Sequence, residues 1–196
     1  GTTVATMLPS FGLHEIEPLA AGAQVIKLPM SAALGFDLDA LEAAIAAGPR
    51  IVFLSSPWNP VGPALSAADL QRLLRAVKPG TLFVLDEAYF EFADPGSVDG
   101  LGALRDSGVP HVVLRTFSKA YGLAGLRVGF AVGSPRVVEA LRKVQTPFGV
   151  STAAEYAAIA SLAAEPELLR RVDAVVAERV RVTRALHDAG LRLHAS

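Results

Sequence analysis

Leu82-Phe83-Val84-Leu85-Asp86-Glu87-Ala88-Tyr89 runs four apolar residues straight into two acids and, two positions on, a phenol. A short run apolar at every position presents no polar face. As a strand it belongs inside a sheet covered by helices on both sides. The acids then stand at the strand's carboxyl end, where open α/β sheets bind their ligands. An acid leaving a buried strand is costly unless a cation or hydrogen-bond donors meet it. The stretch therefore predicts an α/β fold and a site at Asp86.

Working outward, similar apolar runs bounded by Gly or Pro occur at Val4–Leu8, Gln24–Leu28, Ile51–Ser55, His111–Thr116 and Val128–Val132. Between them lie stretches of helical period at Leu13–Ala21, Asp37–Ala47, Ala67–Ala76 and Pro135–Val144. Such alternation is the signature of crossover units and a mostly parallel sheet, here a three-layer α/β sandwich. Ser66 with Asp69 three residues on reads as a helix start, and Pro135 suits a first helical turn. After Thr146-Pro147-Phe148-Gly149 the texture changes. Two helical patterns, Thr152–Ala164 and Pro166–Ala189, follow with no strand between them. Gly1 opens almost directly into an apolar run, and Leu191-Arg192-Leu193 begins a strand-like pattern just before Ser196. Both ends are read as cut from a longer protein.

The 196 residues carry 18 Lys+Arg against 19 Asp+Glu, a net charge of -1. No global field favours nucleic acid or an anionic membrane, so a charged ligand must be held by a few local groups. The absence of cysteine excludes a disulfide framework, thiolate metal sites and a cysteine nucleophile, and it fits a reducing cytoplasm. Mean hydropathy is high at +0.41. The most apolar helical stretch, Gly149–Ala164, is nevertheless short for a membrane span and is interrupted by Glu155, and the N-terminus has no signal-peptide pattern. His14, His111, His187 and His194 are scattered without metal-ligand spacing and are assigned no role. No metal is expected.

Four polar clusters fall at predicted strand ends. Ser55-Ser56-Pro57-Trp58-Asn59-Pro60-Val61-Gly62 is dense in turn residues, and by itself Asn59-Pro60 reads equally well as a turn start. Asp86-Glu87-Ala88-Tyr89 gives a site without naming its ligand. In Arg115-Thr116-Phe117-Ser118-Lys119-Ala120-Tyr121-Gly122-Leu123-Ala124-Gly125-Leu126-Arg127, Thr116, Ser118 and Arg127 combine two hydroxyls with a guanidinium fork, a set suited to phosphate. Only Lys119 of the four lysines stands in such a cluster; a surface lysine in a glycine-containing loop is the bland reading. In Pro9-Ser10-Phe11, Phe11 either stacks on a planar ligand or staples the next helix.

Taken together, Asn59-Pro60-x-Gly62, Asp86-x-x-Tyr89 and Ser118-Lys119 with Arg127 eight residues later resemble the fold type I pyridoxal phosphate aminotransferases. The segments from Asp86 and from Arg115 through Phe130 are most similar to histidinol-phosphate aminotransferase, in the expected order along essentially the whole chain. The resemblance implies pyridoxal 5'-phosphate as cofactor, held by Lys119 as a Schiff base. Lys119 then moves a proton between the substrate's α carbon and C4′ of the cofactor. It implies Asp86 at the pyridine nitrogen, Asn59 and Tyr89 at the phenolic oxygen, Thr116, Ser118 and Arg127 at the phosphate, and Phe11 stacked on the ring. It further implies a cofactor-binding large domain over 1–146, connecting helices leading into a truncated small domain over 147–196, and a cytoplasmic homodimer of the whole protein. The implied reaction exchanges an amino group between histidinol phosphate and the glutamate/2-oxoglutarate pair in histidine biosynthesis.

The chain departs from the family pattern in one place. Members commonly carry Asn-Asn-Pro-Thr-Gly where this sequence has Trp58-Asn59-Pro60-Val61-Gly62, which leaves Asn59 in place and puts the substrate in doubt. The family's arginine for the substrate carboxylate and its N-terminal phosphate-binding segment are expected outside the chain, so the fragment alone is expected to transaminate weakly or not at all. The alternatives on the same scaffold are an aromatic aminotransferase, a threonine-phosphate decarboxylase and a non-catalytic pyridoxal phosphate-binding regulatory domain. A nicotinamide-binding sheet fits poorly, because no Gly-x-Gly-x-x-Gly follows the first strand.

Overall fold

The computed structural model describes residues 1–193. Six strands form one sheet: β1 (Thr3–Leu8), β2 (Gln24–Pro29), β3 (Ile51–Ser55), β4 (Leu82–Asp86), β5 (His111–Thr116) and β6 (Gly129–Gly133). Their spatial order is β2-β1-β3-β4-β5-β6. All neighbours are parallel except β5 and β6, which are antiparallel. The order reverses between β1 and β3, and it is outside such a reversal that a crevice opens at the strand ends.

Seven α-helices complete the described chain: α1 (Leu13–Ala20), α2 (Leu38–Ala46), α3 (Ala67–Ala76), α4 (Gly100–Arg105), α5 (Pro135–Val144), α6 (Thr152–Ala163) and α7 (Glu165–Asp188). The start of α3 is a reciprocal cap. Asp69 N–H donates to Ser66 Oγ and Ser66 N–H donates to Asp69 Oδ2, each at 3.1 Å. This satisfies two backbone donors that the first helical turn leaves without partners.

The main core lies where β1, β3 and β4 meet α2 and α3. Val52, Leu54, Phe83 and Leu85 pack there with Leu41, Ile45, Leu70 and Leu73, all at most 2% exposed. These strands bury both faces, which is why they read as unbroken apolar runs. At the other side, α6 sets Ala154 and Ala158 against Phe117 and Val128, and α7 sets Leu168 and Val172 against Ala120. The two long helices thus pack against the segment on either side of Lys119.

Two expectations need correction. The strand-like Leu191-Arg192-Leu193 forms no strand, and the chain there is irregular. Helix α4, not anticipated, lies between β4 and β5. His194 falls outside the described residues. No helix among those described is long and apolar enough to cross a membrane.

Candidate active site

Each strand end delivers its polar residues into one crevice. β4 ends at Asp86, whose register partners are Ser55 on β3 and Leu114 on β5. The Asp86 carboxylate is held from two sides. Oδ1 accepts from Ala88 N–H at 3.0 Å, and Oδ2 lies 3.1 Å from His14 Nε2. The other imidazole nitrogen, Nδ1, lies 3.0 Å from Ser10 Oγ. His14 stacks on Phe53 with ring centres 5.1 Å apart and 12° between planes, and Phe11 meets it edge-on at 5.7 Å. With 6% of the His14 side chain and 14% of that of Asp86 exposed, the pair is shielded from water, where an electrostatic contact is worth most.

The neighbouring acid has a different task. Glu87 is fully buried, accepts Gly100 N–H at 2.7 Å, and takes Nε and Nη2 of Arg115 at 2.9 and 2.7 Å on one oxygen. Burial pushes its carboxyl above the ordinary range, while Arg115 and the Gly100 amide act in the opposite direction. Arg115 also bonds Asp99 at 2.7 Å and lies 3.7 Å over the Phe90 ring. This ion pair fastens β4 to β5 and α4.

After β5, the Thr116 hydroxyl accepts Ser118 N–H at 3.0 Å and donates to the Val128 carbonyl at 3.4 Å. That turn presents Ser118 and Lys119 at the crevice. Lys119 is exposed, with Nζ 5.2 Å from the centre of the Tyr89 ring. Arg127 sits in the left-handed region at φ 53°, and its Nη1 donates to the Ala124 carbonyl at 2.7 Å. Arg127 lies just before β6 and joins the cavity wall.

The result is a cavity of about 400 Å³, and Phe11, Asn59, Asp86, Tyr89, Thr116, Ser118, Lys119 and Arg127 all line it. Every residue singled out from the sequence as a candidate is in its wall. A second cavity of about 450 Å³ adjoins it through Pro57, Asn59 and Tyr89, walled further by Pro60, Pro63 and Phe92. Arg179 of α7 stands there, donating to the Phe92 carbonyl at 3.1 Å and to Asp94 at 2.6 Å. No cluster of metal-ligating side chains occurs among the described residues.

A model of the family described as "Aminotransferase class I and II" matches residues 1–196. The chain belongs to the class I and II aminotransferases. Within the family it is 52% identical over 188 residues to an aromatic amino acid aminotransferase of Rhodococcus jostii, covering 95% of this chain and 52% of the relative. It is 50% identical over 182 residues to the enzyme of that name from Rhodococcus erythropolis, covering 92% and 50%. Among solved structures, histidinol-phosphate aminotransferase from Sinorhizobium meliloti in complex with pyridoxal-5'-phosphate superposes with a TM-score of 0.88 at 33% identity, covering 97% of this chain and 52% of that one. This aminotransferase chain spans about half the length of the relatives it matches.

Sequence reasoning gave no individual role to three residues in or behind the cavity wall. His14 reaches Asp86 across a separation of 72 residues, which no local spacing reveals, and Ser10 in turn meets His14. Ser55 also lines the cavity, is buried, and its hydroxyl has no hydrogen-bond partner among the described residues.

Proposed function

We propose that this chain holds pyridoxal phosphate on Lys119 and serves amino-group transfer between an aromatic amino acid and a 2-oxo acid. The observation that carries the reading is the convergence of all eight candidate residues on one cavity. The donor set fits the group. A carboxylate with a buried histidine behind it suits a ring nitrogen that must stay protonated; an amide and a phenol suit a phenolic oxygen; two hydroxyls and a guanidinium suit a phosphate. The unpartnered Ser55 hydroxyl marks a wall that awaits a polar neighbour. The volume is within the range of small-molecule sites, about 300 to 1,000 Å³.

Bound there, the cofactor supplies an electron sink for a carbanion at the substrate's α carbon. The remaining tasks belong to the protein. Asp86, oriented by His14 and the Ala88 amide, holds the proton on the ring nitrogen. Phe11, in the cavity wall, would stack on the ring. Asn59 and Tyr89 orient the phenolic oxygen, and Thr116, Ser118 and Arg127 fix the phosphate. Lys119 Nζ, in the cavity wall, would accept and return the proton at the substrate's α carbon.

Identity of 52% to an aromatic amino acid aminotransferase, against 33% to the histidinol-phosphate enzyme, favours the aromatic alternative over histidinol phosphate. The adjoining cavity offers Phe92 and prolines to an aromatic ring, with Asp94 and Arg179 at the same wall. The test is to load the enzyme with pyridoxal phosphate, reduce with borohydride and map the label, then offer phenylalanine, tyrosine, histidinol phosphate and threonine phosphate in turn. Labelling of Lys119 and faster loss of the cofactor's visible band with the aromatic donors are expected. A label on Lys27, Lys78 or Lys143, or preference for histidinol phosphate, would overturn the cofactor and the substrate parts respectively.

A further inference from the structure

We propose that Trp58 is a positioning residue that sets the width of the slot between Phe11 and Asn59, an assignment that rests on the cofactor site described above. Trp58 is the only tryptophan in the sequence. It stands immediately before Asn59, the amide assigned above to the cofactor's phenolic oxygen.

Its surroundings show what the side chain does. The indole is 2% exposed and stacks on Phe36, with ring centres 5.1 Å apart and 25° between planes. Its N–H donates to the Pro9 carbonyl at 2.8 Å. The backbone of the same residue is pinned inside its own loop: Trp58 N–H donates to Pro63 O at 2.8 Å, and Trp58 O accepts Gly62 N–H at 2.6 Å. Trp58 therefore ties a rigid loop after β3 to the loop after β1, and the two loops carry the two groups in question. Asn59 follows Trp58 directly; Phe11 follows Pro9 by two residues. Ser10, between them, meets His14, and His14 meets Asp86. One indole N–H thus links the ends of β3 and β1, and the Ser10–His14 relay continues to the end of β4.

A tryptophan in a core is often there to fill space, and this one does pack in the main core. The N–H to Pro9 is what separates the two roles. The bond is partly buried, the indole dry and Pro9 exposed; without that donor the Pro9 carbonyl loses its protein partner, and the two loops are free to separate. A lost hydrogen bond of ordinary size, expressed at the ligand, corresponds to about a tenfold change in affinity.

The experiment compares Trp58→Phe with the unchanged holoenzyme in three readouts: the dissociation constant for pyridoxal phosphate, the pH dependence of the cofactor's visible band, and thermal melting of the cofactor-free protein. Phenylalanine keeps an aromatic ring and removes the N–H. A dissociation constant raised about tenfold, with a displaced pH midpoint as the Asn59 amide leaves the phenolic oxygen, is the expected result. A lowered melting temperature with affinity and midpoint unchanged would show a space-filling role and overturn the proposal. Should Trp58→Phe fail to fold, an analogue with sulfur in place of the indole nitrogen at position 58 preserves the shape and is judged by the same criteria. An unchanged protein that takes no cofactor onto Lys119 defeats the cofactor reading and the tie together; one that binds normally, with variants that match it, defeats the tie alone.

Discussion

Asp86 and Glu87 are adjacent acids that the fold uses in different ways, one in the cavity wall and one buried against Arg115. Removing one partner of a buried ion pair costs roughly 3 to 5 kcal/mol, and the same loss in a transition state slows turnover about 10²- to 10⁴-fold. Asp86→Ala in the complete enzyme should retain cofactor poorly and fall by that range in a half-reaction assay; near-normal turnover would refute its role. Glu91 gives a test that does not involve the ligand. Burial raises its carboxyl above the ordinary value of 4.5, and its Oε2 has no hydrogen-bond partner among the described residues. A folded-state value above the unfolded one means that the folded protein holds this proton more tightly, so the contribution to stability is complete below about pH 4.5 and is lost as pH rises through the folded value. Glu91→Gln, with no charge to desolvate, should melt higher than the unchanged protein at pH 8 and equally at pH 4. A gap that widens on acidification would contradict this. Sequence alone made Asp86, Tyr89 and Lys119 visible because strand ends announce themselves. It concealed His14, whose meaning depends on a carboxylate 72 positions away.

Between the strands, the elements that were legible are those with strong local signals. β3 and β4 are apolar on both faces up to their polar ends, β5 has an apolar centre at Val112–Leu114, and α3 carries a reciprocal cap, so both kinds could be placed to the residue or nearly so. Helix α4 is the instructive omission. Its six residues, Gly-Leu-Gly-Ala-Leu-Arg, include two glycines, which disfavour a helix by about 1 kcal/mol each relative to alanine. What holds it is tertiary. Leu104 is fully buried, and the Gly100 N–H meets Glu87. The glycine there is required by space, since a Cβ at position 100 would lie 2.4 Å from Leu85 Cδ2 and 2.6 Å from Glu87 Oε1. Gly100→Ala should cost on the order of 1 to 3 kcal/mol through overpacking, seen as a lower denaturation midpoint, and should loosen the Glu87–Arg115 pair. A midpoint equal to that of the unchanged protein would mean that α4 can shift at no cost. The antiparallel β6 imposes a similar demand, with Cβ positions at Gly129 and Gly133 falling 2.8 and 2.4 Å from β5 carbonyl oxygens.

At the scale of the molecule, the chain contains a cavity walled by the eight candidate residues and a second cavity beside it, and it spans about half the length of its relatives. The 196 residues by themselves should therefore bind pyridoxal phosphate at Lys119 yet transaminate little or not at all; brisk turnover of any amino donor by the purified chain would show that the groups present suffice. The cavity wall draws on residues as far apart as Phe11 and Arg127, and most of them are delivered by strands that crossovers must first bring into register. Parallel pairing of this kind is made late, after loop closure has been met, whereas helices form locally and early. Uptake of ligand is therefore a clock for the last stage of folding. During refolding from denaturant, the visible band should return after the helical circular dichroism, and simultaneous recovery would mean that sheet and helices assemble in a single step.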